Sequence, residues 1–175
     1  MGVMILIRRI DSALELPYKL IDIDIGDERF VFAFKRFDED QNEYSIKQGG
    51  VTGAFEITYK CKGIVSNFEC DITIGNLYCF YIELGHAYDI QFCNDSAVIL
   101  RNYGETLNRT KLVFRFDKLG HCFVNGYFKN KDNRYRSSIN FENIEIDQTY
   151  IPKILVSLEK FFVELKRIQG HSSFY

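Results

Sequence analysis

Residues 19–37 read KLIDIDIGDERFVFAFKRF, and two alternating runs meet there at a glycine. Ile21, Ile23 and Ile25 alternate with Asp22 and Asp24, and Phe30, Phe32 and Phe34 recur at every second position beyond. A period of two is that of a strand with one face buried. Gly26-Asp27 suits a two-residue type II′ turn, in which glycine supplies the unusual φ. That turn sets the register. Ile23 falls opposite Phe30 and Ile21 opposite Phe32 on one face, while Asp24 falls opposite Arg29 on the other as a cross-strand ion pair.

Working outward, residues 38–50 are polar and end in Gly49-Gly50, which predicts an exposed loop. Two strands are expected near Thr52–Lys60 and Asn67–Thr73, joined across Gly63. The period then changes. Leu77, Phe80, Tyr81, Leu84 and Tyr88 share one helical face, with Asn76 as the expected N-cap and Gly85 as an expected end or weak point. Strands return near Ala97–Arg101, Lys111–Phe116 and His121–Phe128, the last two joined across Asp117-Lys118-Leu119-Gly120 with glycine at the left-handed position. A further strand near Ser137–Ile146 alternates Ile139, Phe141 and Asn143 against Asn140, Glu142 and Ile144.

The last element is an amphipathic helix. Thr149 is its expected cap and Pro152 lies in its first turn, where a missing N–H does no harm. Ile151, Leu155, Leu158, Phe162 and Leu165 line one face, widened by Ile154, Phe161 and Ile168. The expectation is therefore an α+β fold: antiparallel sheet of about 7–9 strands, a mid-chain helix at about 76–88 and a C-terminal helix at about 150–169. Residues 1–170 read as one domain without a repeat or linker, and 171–175 as a loose tail.

Composition narrows the function classes. The chain has 175 residues, enough for a real core, with 16 Phe, 11 Tyr and no Trp, a bias towards strands. The net charge of −2 argues against nucleic acid as partner. The N-terminal run Met1 to Ile7 precedes Arg8-Arg9, the reverse of a signal peptide, and no apolar run approaches a bilayer's thickness, so no membrane is expected and the cytoplasm is the expected location. The cysteines at 61, 70, 79, 93 and 122 are odd in number and show no metal spacing; they are expected to be structural thiols, which where buried act as small hydrophobes.

No catalytic set stands out. His86, His121 and His171 are spaced with no metal or nucleophile partner, and His121 and Cys122 point to opposite faces of a strand. The expectation is no enzyme, no cofactor and no metal. Phe114, Phe116, Phe123, Tyr127 and Phe128 resemble in part the base-stacking strands of RNA-binding domains, but such a stripe more often forms core. The partner-facing candidates are acidic: Asp38, Glu39, Asp40 and Glu43 in the loop, and Asp22 and Asp24 on the hairpin, where complementary charge speeds encounter with a basic partner.

One stretch resembles a known family. The turn Asp117-Lys118-Leu119-Gly120-His121, a strand through Gly126, and then Asp147-Gln148-Thr149-Tyr150-Ile151-Pro152 before a Leu-rich helix resemble the WapI-type immunity proteins of bacterial polymorphic toxin systems. Their pattern DQTYLP recurs here with Ile151 in place of leucine. The resemblance covers residues 111–163 and extends loosely to the helix at 76–88. It implies an inhibitor that binds the toxic domain of a secreted protein and occludes it stoichiometrically, the partner being a protein toxin domain with a basic surface. Asp147, Gln148, Thr149 and Tyr150 also read as a structural corner that ends a strand and caps a helix. The alternative reading is a non-enzymatic small-ligand-binding or scaffold domain with an aromatic pocket between sheet and helix.

Overall fold

The structure is a computed structural model and describes residues 14–37, 50–90, 96–101, 110–129 and 138–169. The loop carboxylates Asp38, Glu39, Asp40 and Glu43, together with Cys93, His171, the tail 171–175 and the side chain of Ile168, lie outside the described residues. The fold is α+β, with two four-stranded antiparallel sheets and two helices among the described residues. The first sheet contains β1 (Tyr18–Asp24), β2 (Glu28–Phe37), β3 (Thr52–Cys61) and β4 (Ile64–Thr73), hydrogen-bonded in sequence order. Helix α1 (Ile74–Asp89) follows. The second sheet contains β5 (Ser96–Arg101), β6 (Thr110–Phe116), β7 (Cys122–Lys129) and β8 (Ser138–Ile146), again in order, and α2 (Tyr150–Gln169) closes the chain. Four strands followed by a helix thus occur twice, a repeat of topology that no sequence repeat announces.

The hairpin has the expected register: Ile23 pairs with Phe30, Ile21 with Phe32 and Asp24 with Arg29. Gly26 takes φ +79, as the first central position of a II′ turn requires. Leu20 is an extra residue in β1, between Lys19 opposite Ala33 and Ile21 opposite Phe32. This bulge lets Leu20 and Ile21, neighbours in sequence, both be buried.

Several local expectations are corrected. Helix α1 is capped by Thr73, not Asn76: the Thr73 hydroxyl accepts from the Asn76 N–H at 3.3 Å, and Ile74 N–H donates to the Val51 carbonyl. A β-branched hydroxyl at the end of β4 does the capping, and the strand therefore passes directly into the helix. Gly85 neither ends nor breaks α1, which runs on to Asp89, and Ala87 rather than Tyr88 lies on the buried face. In β8 the alternation flips. Asn143 takes φ +56 and forms a bulge, with its N–H bonded to the Asn125 side chain at 2.7 Å. Phe141 and Ile139 are buried before the bulge, Ile144 and Ile146 after it, and Asn143 is turned to solvent. Strand β4 also begins three residues earlier than expected, at Ile64.

The two sheets meet through aromatic rings. Phe30 of β2 lies 4.9 Å from Phe141 of β8 and 5.7 Å from Phe128 of β7, and Tyr59 of β3 stacks on Phe141 at 4.9 Å. At the other end of the first sheet, Phe34 meets Phe161 of α2 at 5.0 Å. Phe80 of α1 meets Phe114 of β6, and Tyr78 and Tyr81 of α1 meet Phe162 of α2. One continuous set of buried side chains therefore joins both sheets and both helices. The aromatic stripe of the second sheet is divided by the pleat: Phe114, Phe116 and Phe128 point into this core, while Phe123 and Tyr127 point away from it.

Two substitutions test this packing. Gly126 faces the core, and an added Cβ would fall 2.3 Å from Phe141 Cζ and 2.8 Å from Phe128 Cε2. Gly126→Ala is expected to cost about 1–3 kcal/mol through overpacking, read as a lower urea midpoint at unchanged slope. An unchanged midpoint would mean that Phe141 has room to move. Leu158, fully buried on α2, becomes a buried charge in Leu158→Asp. That variant is expected to lose the cooperative thermal transition seen by circular dichroism.

Candidate functional site

Three polar turns converge at one end of the molecule. The first is the tip of the β1–β2 hairpin. Asp22 and Asp24 lie on the outward face of β1, but they differ in state. Arg29 donates twice to Asp22, from Nε at 3.0 Å and from a terminal nitrogen at 2.8 Å, and Lys19 adds a third contact at 3.1 Å. Arg29 lies directly opposite Asp24, yet it stands 3.8 Å from that carboxylate. The main ion pair is therefore the diagonal one. Two residues along the strand bring a carboxylate within reach of the guanidinium's fork geometry, which a directly opposed, splayed residue does not offer. Partial burial opposes ionisation of Asp22, but the bonds from Arg29 and Lys19 outweigh it and hold the carboxyl below its usual range. Asp22 is thus internally neutralised, whereas Asp24 keeps 57% of its side chain exposed.

The second turn is Asp117–His121. Asp117 Oδ1 accepts from the N–H groups of Leu119 and His121, both at 2.9 Å, and its Oδ2 contacts His121 Nδ1 at 2.8 Å. This is an Asx-type turn, in which a side chain replaces a backbone acceptor. Gly120 sits at φ +85, the expected left-handed position. Leu119 stands out at the tip, 81% exposed.

The third is the corner 147–150. Asp147 Oδ1 accepts from Thr149 N–H at 2.7 Å, and the carbonyls of Asp147 and Gln148 accept from Tyr150 and Ile151. The Thr149 backbone and hydroxyl both bond to Asp147 and hold its carboxyl below the usual range. The Thr149 hydroxyl, the expected cap, is turned back to Asp147, and the first helical N–H groups, those of Tyr150 and Ile151, are taken by the backbone carbonyls of Asp147 and Gln148.

The corner ties the other two turns together. Gln148 donates from Nε2 to the Gly120 carbonyl, and the Tyr150 hydroxyl donates to the Asp24 carbonyl. Lys153, one turn into α2, lies 5.3 Å from the Tyr150 ring. The tip of the β3–β4 hairpin joins the group through Lys62 N–H on the Asp27 carbonyl, and it exposes Ile64 and Val65. Residues 24–28, 62–65, 117–121 and 147–150 thus form one composite end of the molecule. Of the residues expected to face a partner, Asp24 belongs to it, and Asp22 is tied up beside it. Leu119 was missed by sequence reasoning, and Asp27 was read only as a turn residue beside Asp22 and Asp24. Their signal is present only as turn residues, which stand out in any fold.

This end combines the exposed carboxylates Asp24 and Asp27 with the exposed apolar side chains Ile25, Ile64, Val65 and Leu119. Among the described residues no three His, Cys, Asp or Glu side chains are grouped to hold a metal. Cys70 and Cys122 sit in the core, and burial pushes both thiols up to about 12, so they remain protonated and poorly nucleophilic. No helix among the described residues is long and apolar enough to cross a membrane. No family model, curated protein sequence or solved structure matches the chain.

The Asp117–His121 pair carries a testable pH signature. Burial opposes the Asp117 charge, but the His121 side chain and the two backbone N–H groups together outweigh it and hold its carboxyl below the ordinary 3.8. The hydrogen bond and charge of Asp117 hold the imidazole above its ordinary 6.5. A raised imidazole contributes to the turn fully below 6.5 and loses that contribution as pH rises through its folded value; a lowered carboxyl contributes above 3.8 and is lost in acid. The His121 ring is expected to titrate above 6.5 in an NMR titration, and Asp117→Asn to bring it down. A His121 midpoint at or below the ordinary value would show that the two side chains do not pair in solution.

Proposed function

We propose that this protein is an immunity protein, which neutralises a toxic domain by binding it stoichiometrically and performs no chemistry of its own. The observation that carries the reading is the sequence DQTYIP at 147–152 in its setting, after the DKLGH turn and before the Leu-rich α2, the arrangement in which the chain resembles the WapI-type immunity proteins. In this chain the two motifs touch, Gln148 on Gly120, and Tyr150 carries the contact on to the hairpin tip. A corner built this way is a rigid platform for loops, and loops held on a rigid scaffold are where proteins place their contacts.

The proposed contact surface is the composite end. Asp24 and Asp27 project from the hairpin tip, and Ile25, Leu119, Ile64 and Val65 give it exposed apolar side chains. Apolar residues with charged neighbours form the core and rim of an ordinary protein interface. Carboxylates at such a site suit a toxin domain with a basic substrate surface, because they compete for the charges that would otherwise hold the substrate. The acidic stretch Asp38, Glu39, Asp40 and Glu43 adds further negative charge to the chain. Such an inhibitor acts in the cytoplasm of the cell it protects.

The test is co-expression with the toxic C-terminal domain encoded immediately upstream. Growth rescue and co-elution of both chains in one sizing peak are expected. Leu119→Asp combined with Asp24→Lys is expected to abolish rescue without changing the circular dichroism spectrum, since both side chains are exposed. A folded protein that neither rescues growth nor co-elutes would remove the proposal.

A further inference from the structure

Charge is unevenly distributed along the chain. Residues 101–136 hold nine Lys and Arg against three Asp and Glu, within a protein whose net charge is −2. The fold turns four of these cations, Arg101, Lys111, Arg115 and Lys129, onto one surface. The outward residues of β5, β6 and β7 are Ile99 and Arg101, then Lys111, Val113 and Arg115, then Phe123, Asn125, Tyr127 and Lys129, while their neighbours Leu100, Leu112, Phe114, Val124 and Phe128 fill the core. The register brings them together: Arg101 is opposite Lys111, Lys111 opposite Tyr127, and Arg115 opposite Phe123.

Two features set this face apart from an ordinary solvated sheet. Like charges directly across a strand pair repel, and the first sheet resolves its own case. Glu56 lies opposite Glu69, but Lys35 and Arg36 reach Glu69 at 2.7 and 2.9 Å, and Asn67 donates to Glu56. On the second sheet Arg101 and Lys111 are opposed, with Lys129 two residues beyond Tyr127 on the same face, and among the described residues no carboxylate pairs with any of the three. The second feature is aromatic. Tyr127 is 37% exposed amid these cations, and Phe123, ~14 Å along the same strand, lies beneath the Arg115 guanidinium at 4.9 Å from its ring centre. Glu142 and Glu145 stand only along the β8 border.

We propose that this face binds single-stranded nucleic acid. Rings on an open antiparallel sheet give bases a stacking surface, guanidinium planes extend it, and cations with no carboxylate partner among the described residues take the phosphates. Net charge spoke against such a partner only because it averages over faces that the fold separates. The inference is independent of the immunity reading and uses a different surface.

Fluorescence anisotropy of the full chain with fluorescein-labelled 12-nucleotide oligouridine and oligothymidine tests it, with duplex DNA of the same length and polyglutamate as competitors. Saturable binding of the single strands is expected. Tyr127→Ala is expected to weaken it about tenfold, and Tyr127→Phe to preserve it, because the ring and not the hydroxyl stacks. Arg101→Ala with Lys111→Ala is expected to lower the slope of log affinity against log salt by about 1.4, at about 0.7 per phosphate contact. Lys160→Ala, on the exposed side of α2, leaves binding unchanged. No binding at low salt overturns the proposal. So does binding indifferent to Tyr127, or competed equally by polyglutamate, which would mark the face as a seat for an acidic protein.

Discussion

Phe30 is the side chain on which the two halves of this protein depend. Each four-stranded sheet has one apolar face that cannot be buried by its own strands. Phe30 touches both Phe128 and Phe141, and Tyr59 adds a second ring to Phe141, so the junction is made where two inner faces present aromatic side chains to one another. The absence of a side chain at Gly126 is part of the same arrangement, since Phe141 occupies the space a Cβ would take. The helices seal the rest of the core. Phe161 of α2 closes on Phe34, and Phe80 of α1 on Phe114. Rings of this size bury much apolar area for few rotatable bonds, which explains how a chain with 16 Phe and no Trp builds one core that joins both sheets and both helices.

Once the core joins the halves, the polar ends are brought into contact. The hairpin tip belongs to the first half, and the Asp117 turn and the 147–150 corner to the second, more than 90 residues away in sequence. Gln148 and Tyr150 connect them with one hydrogen bond each. These bonds are exposed and individually modest. Their consequence is positional: they hold the backbone of the hairpin tip at Asp24 and of the second turn at Gly120 against the corner. The same core separates charge by face. The acidic hairpin tip and the cationic face of the second sheet are different surfaces of one molecule.

Much of this was legible in the residues. The period-two runs around Gly26-Asp27 predicted strand, turn type and register, because all three follow from interactions within a few residues. The Asp117–Gly120 turn, the start of α2 near Tyr150 and its buried face were legible for the same reason. The α+β class followed from them. What was misplaced involved competition between neighbouring residues that suit one role equally. Thr73 and Asn76 are both good caps, and the strand's end decided for Thr73. Asp147 and Thr149 are both good caps, and the Asp147 carboxylate took the Thr149 N–H and hydroxyl, while backbone carbonyls took the first helical N–H groups.

The candidate site divides along the same line. Its turns, and the carboxylates on them, were determined by the sequence alone, through turn chemistry and alternation. Their pairing was not. Arg29 takes Asp22 rather than the Asp24 it opposes, the bulge at Asn143 reverses which residues of β8 meet solvent, and the pleat sends Phe123 and Tyr127 outward among Arg101, Lys111 and Lys129. Each of these depends on which strand lies alongside and where the register slips. Such contacts join residues far apart in the chain, and only the packed tertiary structure decides them, because a one-residue shift exchanges the buried face of a strand for the exposed one.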